Sequence, residues 1–299
     1  MSIKHIVIPG GGPIGVQALG AIQYLEKQKY INIDNIETIY ATSIGTIVAT
    51  LISLRFDWDI INNYIVNRPW QNVFQIKINH IFDIFSKKGI FDENSIETFF
   101  KPFFNAKDLP INITLQQFYD FSKIELHIFS LETNNFQLID CSYKTHPTLP
   151  LVTALHMSCA IPVLFAPVCI DNQCYVDGGV LCNDPLTYCI KRANSVDEIF
   201  ALCNDYSVKD TEIINKDSSL IDFLINIINK LLNNASISFY PPSIRNQLTY
   251  KSCYMSIEYI QTFISSKQIR QELLDYGIDC GIQYLERKLF ASEDAKILS

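Results

Sequence analysis

The fold class of this 299-residue chain is decided by one stretch near its start, Ile3-Lys4-His5-Ile6-Val7-Ile8-Pro9-Gly10-Gly11-Gly12-Pro13-Ile14-Gly15. The β-branched run Ile3–Ile8 predicts a buried strand that ends in a glycine-rich loop. Apolar residues then recur at helical spacing over Ile14–Lys27, which predicts a helix directly after the loop. A strand over Ile36–Ala41 and a helix over about Ile44–Leu54 repeat the pattern. Two consecutive strand–helix pairs indicate parallel βαβ units and an α/β fold.

Later segments add further elements to this sheet and to its covering layers. Residues 56–108 are crowded with aromatic side chains and are predicted to be mainly helical; they form core, with the wall of an acyl pocket as the alternative. The amphipathic helix predicted over Leu220–Leu232 is interpreted as a core helix, since its polar face lacks basic residues; a membrane-contact helix is the alternative. Further strands are predicted over Ile111–Leu115, Ile124–Leu131, Phe136–Cys141, Cys174–Val176 and Val196–Cys203, and a helix over Val152–Ala160.

The composition is typical of a globular chain with material for a large core. Hydrophobic residues make up 48% of the sequence and charged residues 18%, which excludes a disordered chain. The formal net charge is -7 and no basic stripe is present, so nucleic acid is not an expected partner. The N-terminal apolar run is too short for a signal peptide, and no apolar stretch is long enough to predict a transmembrane helix.

The cysteines and histidines bear on location and on metal binding. Nine cysteines, an odd number without CxxC spacing, predict buried free thiols in the cytoplasm or another reducing compartment, with a peripheral position at membranes compatible with this. Five scattered histidines give little support to a zinc site. These counts predict no metal ion, and we expect no organic cofactor either.

The glycine loop is compatible with two functions. Residues 10–15 satisfy the pattern G-x-G-x-x-G after a strand and before a helix, which is the fingerprint of nicotinamide and flavin enzymes. That function also needs an acidic residue at the end of the second strand, where this chain has Ile39-Tyr40-Ala41-Thr42. Asp34 and Glu37 come too early to serve. The loop is better interpreted as a set of backbone N–H groups that face another anion.

A serine follows the second strand in the setting of a nucleophile elbow. The stretch Ala41-Thr42-Ser43-Ile44-Gly45 has the form small-x-Ser-x-Gly between a predicted strand and a predicted helix. The alternative is that Ser43 only caps the helix. Since both the serine and the glycine loop follow parallel strands, they should lie at the same carboxyl edge of the sheet.

The base candidate is the carboxylate of Asp177-Gly178-Gly179. No histidine follows Asp177, because the last one is His156, so the Ser, Asp, His order of an α/β-hydrolase is absent. A triad built from Asp120 and His146 has no motif to support it. The alternative for the Asp-Gly-Gly string is a simple turn. A carboxylate with a pKa near 4 is a weak base, so burial and N–H donors must assist it.

Together these strings resemble the patatin-like phospholipase family, which has a glycine-rich oxyanion loop, a GxSxG elbow, a DG[GA] motif and a Ser–Asp dyad without a catalytic histidine. The resemblance covers roughly residues 4–205. Two positions depart from the family pattern: Ile14 stands where the family usually has Arg or Lys, and Ala41 stands at the first elbow glycine. Further stretches that resemble the family are Gly89-Ile90-Phe91-Asp92, residues 158–167, Tyr175-Val176-Asp177-Gly178-Gly179-Val180 and Asn183-Asp184-Pro185.

The resemblance implies a three-layer α/β/α sandwich with a mainly parallel central sheet. It implies a patatin-like domain over residues 1–205, and we expect residues 206–299 to form a helical extension packed on the same domain. The resemblance implies that Ser43 is the nucleophile and Asp177 the base. The implied oxyanion hole consists of backbone N–H groups of Gly10, Gly11, Gly12 and Ile44, and the motif glycines are Gly15, Gly45, Gly178 and Gly179.

The sequence therefore predicts a lipid acyl hydrolase of phospholipase A or lysophospholipase type. Its expected partners are a phospholipid or other acyl-ester substrate and, transiently, a membrane surface. The alternative is a patatin-like protein that binds lipid with weak or no turnover.

Overall fold

The computed structural model describes residues 2–74, 86–205, 214–238, 242–252 and 256–297. Its strands are β1 (His5–Ile8), β2 (Thr38–Thr42), β3 (Gly89–Phe91), β4 (Glu125–Glu132), β5 (Gln137–Cys141), β6 (Val163–Phe165), β7 (Val168–Ile170), β8 (Gln173–Asp177), β9 (Ile199–Asp205) and β10 (Gln247–Lys251). Among the described residues, a central sheet has the order β10-β9-β1-β2-β4-β8-β7, with β5 paired to β4. The neighbours from β10 to β4 run parallel, and β5, β7 and β8 are antiparallel. The predicted mainly parallel sheet is confirmed.

Helices flank this sheet. They are α1 (Gly15–Lys27), α2 (Ile44–Ser53), α3 (Trp58–Asn67), α4 (Glu93–Ala106), α5 (Leu115–Ser122), α6 (Leu151–Cys159), α7 (Gly179–Cys182), α8 (Leu186–Arg192), α9 (Leu220–Ser238), α10 (Ile257–Ser265) and α11 (Lys267–Ile297). Within the described part of the chain, none of these helices combines the length and the apolar character that crossing a bilayer requires.

The alternation of side chains along β1 and β2 explains why both faces of the sheet are covered. Ile6 and Ile8 belong to a large apolar cluster with residues of α1 and α2. Val7 and Tyr40 belong to a separate cluster with Leu186 of α8. Successive strand residues point to opposite faces, so a strand that is apolar throughout must be buried on both sides. This confirms the three-layer α/β/α sandwich.

The first four predicted elements are present as β1, α1, β2 and α2. The predicted strand over Ile111–Leu115 is wrong. Thr114 instead caps α5 through a reciprocal capping box with Gln117, and a single bridge to Pro150 is all the strand pairing there. Thr114 and Gln117 have the spacing of a capping box, which indicates the start of a helix. This signal outweighs the short apolar run that suggested a strand.

Residues 56–108 are mainly helical where the structure describes them, as α3 and α4. The part of this segment at residues 75–85 lies outside the described residues. Neither strand of a small second sheet was predicted: β3 pairs in parallel with β6. Gly89 is required there, because a Cβ atom at that position would lie 2.1 Å from the backbone nitrogen of Ala166.

Residues beyond 205 contribute to the same sheet and to its helical cover. The strand β10, which was not predicted, pairs in parallel with β9. The long helix α11 packs along α1 at very close range. A Cβ atom on Gly20 would lie 2.2 Å from the carbonyl oxygen of Leu274, and one on Gly277 would lie 2.0 Å from that of Gln17. These two glycines therefore permit the close packing, and the division of the chain at residue 205 stays a prediction.

The cysteines require a correction. Cys169 and Cys174 form a disulfide across the β7–β8 hairpin, where they are direct partners in the strand register. The expectation of free thiols is wrong for this pair, because hairpin pairing brings together an exposed cysteine and a half-buried one that have no motif spacing. Cys253 lies outside the described residues. The free thiols among the described residues are those of Cys141, Cys159, Cys182, Cys189, Cys203 and Cys280.

The helix predicted over Leu220–Leu232 is present as part of α9, but its orientation is not the expected one. Ile225, Asn226 and Asn229 are buried, whereas four large apolar side chains on the opposite side are exposed. The interpretation of a core helix with its apolar face inward is therefore wrong for these residues. The exposed side chains are Leu220, Phe223, Ile227 and Leu231.

Candidate active site

Three segments meet beside the ends of β1, β2 and β8. The glycine loop follows β1, Ser43 follows β2, and Asp177 is the last residue of β8. Asp177 pairs with Ser130 in the second half of β4, which is the neighbour of β2. The topology thus brings together residues that are more than 130 positions apart.

Ser43 occupies a strained turn between β2 and α2. Its φ of 54° and ψ of -131° place it in a region that residues with a side chain rarely adopt. Its backbone N–H donates to Ser158 Oγ at 2.9 Å, and the Ser158 hydroxyl donates to the Phe129 carbonyl at 2.5 Å. Gly45 completes the turn, because a Cβ atom there would lie 2.4 Å from the carbonyl oxygen of Ile8. The elbow geometry predicted from the sequence is present, and Ser158 supports it.

The side chains of Ser43 and Asp177 are in direct contact. Ser43 Oγ donates to Asp177 Oδ2 at 2.5 Å, and both residues are buried. The second carboxylate oxygen, Oδ1, accepts the N–H of Gly179 at 2.7 Å. Gly178 lets the chain turn here, since a Cβ atom on it would lie 2.4 Å from the Phe129 carbonyl oxygen.

Burial raises the pKa of Asp177 to about 7, against the lowering effect of the hydrogen bonds from Ser43 and Gly179. Among the described residues, no cationic side chain forms an ion pair with this carboxylate. A carboxylate with a pKa near neutrality is a much better proton acceptor than an exposed one. The site therefore supplies the desolvation that the sequence argument required.

The glycine loop is held by two asparagine side chains. Asn204 donates to the Gly10 carbonyl at 2.6 Å, and Asn183 donates to the same oxygen at 3.3 Å. The Gly10 N–H donates to the Asn183 backbone carbonyl at 3.0 Å. This corrects the expectation for Gly10, whose N–H is already in use and is not available to an oxyanion. The planar Gly10–Gly11 peptide is fixed in direction, because its carbonyl is held from two sides.

Three N–H groups remain as donor candidates, those of Gly11, Gly12 and Ile44. In the described part of the chain none of them donates to another residue. Gly12 has a φ of 61°, which glycine adopts without strain, and Ile44 opens α2. The first N–H groups of a helix have no partner within it and favour an anion. These donors therefore come from two elements, the glycine loop and the first turn of α2, and Gly12 and Ile44 line the same cavity as Ser43.

Ile14, at the position where a cation was expected from the family pattern, is buried beneath the loop. A Cβ atom on Gly11 would lie 2.6 Å from Ile14 Cδ1, so the isoleucine packs directly against the Gly11 backbone. Gly15 is equally restricted, because a Cβ atom there would lie 2.5 Å from the side chain of Ile44. Apolar packing thus supports the loop in this chain.

An apolar cavity of about 170 Å³ adjoins Ser43. Gly12, Ser43 and Ile44 form part of its wall, and the rest is almost entirely apolar. The aromatic segment contributes Trp70, Phe74 and Phe99, so some of its side chains wall a pocket while others, such as Phe100, are plain core. Other apolar residues in the wall are Val16, Leu19, Ile47, Val48, Leu51, Ile161, Phe165, Phe263 and Ile264.

Sequence reasoning missed three supporting residues, Ser158, Asn183 and Asn204. Ser158 and Asn183 lie in stretches that resemble the family, but the role of each depends on contacts across the fold. Asn204 is near the end of β9, the neighbour of β1, and a polar residue at that edge is the signal that could have found it. In the part of the chain that the structure describes, no three His, Cys, Asp or Glu side chains are grouped so as to hold a metal ion.

Comparison with known proteins shows which family this chain belongs to. The family model for patatin-like phospholipase matches residues 6–190, which include the glycine loop, Ser43 and Asp177. The chain belongs to the patatin-like phospholipase family. Within the solved structures, this family member is similar to VipD from Legionella pneumophila, with a TM-score of 0.54 at 16% identity, over 96% of this chain and 67% of VipD. That likeness concerns the fold.

Two viral proteins are similar in sequence to this patatin-like chain. An uncharacterized protein of Acanthamoeba polyphaga mimivirus is 26% identical over 294 residues, which cover 96% of this chain and 94% of the viral protein. A probable lipid hydrolase of Invertebrate iridescent virus 6 is 26% identical over 194 residues, which cover 64% of each chain. The first match extends through the C-terminal third, where the family model does not reach.

Proposed function

We propose that this protein is a lipid acyl hydrolase of phospholipase A or lysophospholipase type, with Ser43 as nucleophile and Asp177 as base. The observation that carries the proposal is the 2.5 Å hydrogen bond from Ser43 Oγ to the buried Asp177 carboxylate, at the wall of an apolar cavity. The family supplies the substrate class, and the probable lipid hydrolase among the similar proteins agrees with it.

In the first half-reaction, Ser43 Oγ attacks the ester carbonyl carbon while its proton passes to Asp177 Oδ2. The carbonyl oxygen becomes an oxyanion that accepts hydrogen bonds from the N–H groups of Gly11, Gly12 and Ile44. Collapse of this tetrahedral species breaks the bond to the alcohol, which takes the proton from Asp177. The products are a free alcohol, such as a lysophospholipid, and an acylated Ser43.

In the second half-reaction, Asp177 accepts a proton from water as the water oxygen attacks the acyl carbon. A second oxyanion forms at the same N–H donors and collapses, releasing the fatty acid and returning the proton to Ser43 Oγ. Among the described residues, no histidine hydrogen-bonds to either Ser43 or Asp177. One carboxylate therefore carries the proton in both halves. The raised pKa of Asp177, about 7, suits this role, because it lies near neutral pH.

The apolar wall beside Ser43 favours a fatty acyl chain over a polar acyl group. A fatty acyl chain that enters the cavity gains apolar contact with α2 and with the aromatic residues. The alcohol half of the ester then lies on the side of the loop and of Asp177.

The test compares the wild-type protein with Ser43→Ala on short-chain p-nitrophenyl esters and on phosphatidylcholine vesicles. Ser53→Ala is the matched control, because Ser53 is a buried serine at the far end of α2, the helix that follows Ser43, and its hydroxyl donates to the Ala49 carbonyl. We expect Ser43→Ala to lose turnover by about a thousandfold or more, and Ser53→Ala to keep it. Equal turnover by wild type and Ser43→Ala on both substrates would contradict the proposal.

A further inference from the structure

The helix α9 presents its apolar side to solvent. Leu220 and Leu231 are 66% and 58% exposed, and Phe223 and Ile227 between them are also exposed. The spacing of these four residues, three to four apart, makes one continuous stripe along the helix. Large apolar side chains are usually buried, and a row of them on the protein surface marks a site of interaction.

The opposite side of α9 is committed to the protein. Asn226 and Asn229 are only 2% and 7% exposed, and both have interaction partners within the fold. Buried amides must keep their hydrogen bonds, so turning the helix to hide its leucines would cost the interactions of both asparagines. The exposed position of the apolar stripe is therefore fixed by the sequence of the helix.

This stripe belongs to the same part of the molecule as the candidate active site. Ile225, on the inner side of α9, packs with Ile161 and Leu164, and Phe165 packs against the same cluster. Ile161 and Phe165 also form part of the cavity wall beside Ser43. In addition, α9 lies against α7, the short helix that starts two residues after Asp177.

We propose that α9 is the element through which this protein docks on a lipid surface, with its Leu220–Leu231 stripe inserted among the acyl chains of a neutral phospholipid layer. This inference rests on the proposed function, because a lipid acyl hydrolase must take its substrate from an aggregate. Docking through α9 places the lipid layer next to the helix that packs on Ile161 and Phe165 of the cavity wall.

The charges of the helix select the kind of lipid surface. Between Leu220 and Leu231 the charged residues are Asp222 and Lys230, which cancel. The whole chain carries a formal net charge of -7, so an anionic membrane offers no attraction. The contact is therefore apolar in origin, and neither anionic lipid nor low salt strengthens it.

The size of the stripe argues against a second copy of the chain as the occupant. Among the described side chains of α9, the four partly exposed apolar ones offer roughly 400 Å², whereas a stable protein interface needs about 800 Å² from each partner. Insertion into a lipid layer has no such minimum, since each apolar side chain gains separately from leaving water.

The test measures binding of Ser43→Ala protein to phosphatidylcholine vesicles by flotation, so that turnover does not alter the vesicles. In this background, Phe223→Glu with Leu231→Glu is expected to weaken binding about tenfold or more. The matched control is Ile60→Glu, an exposed apolar residue of another helix, which is expected to leave binding unchanged. Thermal melting of each variant checks that the fold is retained.

Addition of anionic phosphatidylserine, or of salt, is expected to change the binding by less than about twofold. In the protein with Ser43 intact, the ratio of vesicle turnover to soluble-ester turnover is expected to fall about tenfold in the double variant. The proposal is overturned if the double variant binds as well as its parent, if Ile60→Glu weakens binding equally, or if binding requires anionic lipid. A dimer that the double variant abolishes would assign the stripe to a second copy instead.

The two proposals fail in distinguishable ways. Loss of vesicle binding in the double variant, in a protein without ester turnover, would keep the docking surface and remove the hydrolase. Turnover of vesicles that the double variant does not affect would keep the hydrolase and remove the docking surface.

Discussion

Two carboxylates beside the same strand β4, Asp177 buried and Asp140 partly buried, have opposite surroundings. Asp177 contacts the hydroxyl of Ser43 and the N–H of Gly179, and its pKa is raised to about 7 by burial. Asp140, paired with Phe129 in the strand register, is partly buried, which by itself would raise its pKa. Its hydrogen bonds to His127 at 2.9 Å and to Arg192 at 2.7 Å lower that pKa instead.

The partners of each carboxylate decide what it can do. Asp140 is held as an anion by two basic side chains, His127 and Arg192. These line a polar groove at the amino end of the parallel strands, together with the paired Glu125 and Lys144. Asp177 has a hydroxyl where Asp140 has basic side chains, so its pKa is raised rather than lowered, which favours proton transfer from that hydroxyl. The comparison teaches that burial beside a hydroxyl, with no cation as partner, makes Asp177 the carboxylate to suspect of chemistry.

The largest expected effect separates the two carboxylates directly. Asp177→Asn is expected to lower kcat/KM by about a thousandfold or more, because the base is lost while the size of the side chain is kept. Asp140→Asn is expected to change kcat/KM by less than about threefold and to lower the melting temperature, because Arg192 and His127 lose their partner. Ester turnover and thermal melting of both variants check this. A large loss of turnover in Asp140→Asn alone would reverse the assignment.

The next effect concerns the support of the glycine loop. Asn204→Ala is expected to lower kcat about tenfold to a hundredfold with little change in KM, because the Gly10 carbonyl loses its shortest hydrogen bond. Asn246→Ala is the matched control, since Asn246 is a buried asparagine that binds the Asp197 carbonyl away from the loop. It is expected to lower the melting temperature and to keep kcat. A loss of kcat in both variants would point to general destabilisation.

The local elements around these residues could be predicted from the sequence, and the supporting contacts could not. The β1–loop–α1 and β2–Ser43–α2 units are encoded by short apolar runs and by glycines at close approaches, which are local signals. Asn204 donates to the Gly10 carbonyl from 194 positions further along the chain, and the Gly10 N–H donates to the Asn183 carbonyl. Neither contact has a local signature in the sequence. The exposed stripe of α9 was misassigned because an amphipathic pattern does not say which side faces the protein.

The dependence on pH is the third way to test the comparison. With a pKa of about 7, Asp177 is protonated below neutrality, so kcat/KM is expected to fall about tenfold per pH unit below pH 7 and to level off above it. A profile that stays level down to about pH 5 would contradict a base with a raised pKa.

Stability gives the same carboxylate an independent signature. Because folding raises the pKa of Asp177, the native state still binds a proton between about pH 4 and 7, whereas the unfolded chain has released it. The stability that this group contributes therefore falls as pH rises through that window. Asp177→Asn removes this loss, so its melting temperature relative to wild type is expected to increase from pH 4 to pH 7. Asp140, with a lowered pKa, acts in the opposite sense and loses its contribution as pH falls below its ordinary value.

The smallest expected effect concerns the cavity rather than the carboxylates. Leu51 lines the cavity near the C-terminal end of α2, and Leu51→Phe narrows the cavity there. The variant is expected to lower the ratio of long-chain to short-chain ester turnover about threefold to tenfold. Turnover of a short-chain p-nitrophenyl ester compared with a long-chain one measures this ratio. An unchanged ratio would place the acyl chain elsewhere.

Covalent labelling by a fluorophosphonate, read by mass spectrometry of the intact protein and its peptides, tests the central claim most directly. Ser43 is expected to carry the single adduct in the wild-type protein, while Ser43→Ala stays unlabelled and Asp177→Asn reacts far more slowly. Wild-type protein that stays unlabelled, or that carries its adduct on another residue, would contradict the assignment of Ser43 as a nucleophile activated by Asp177.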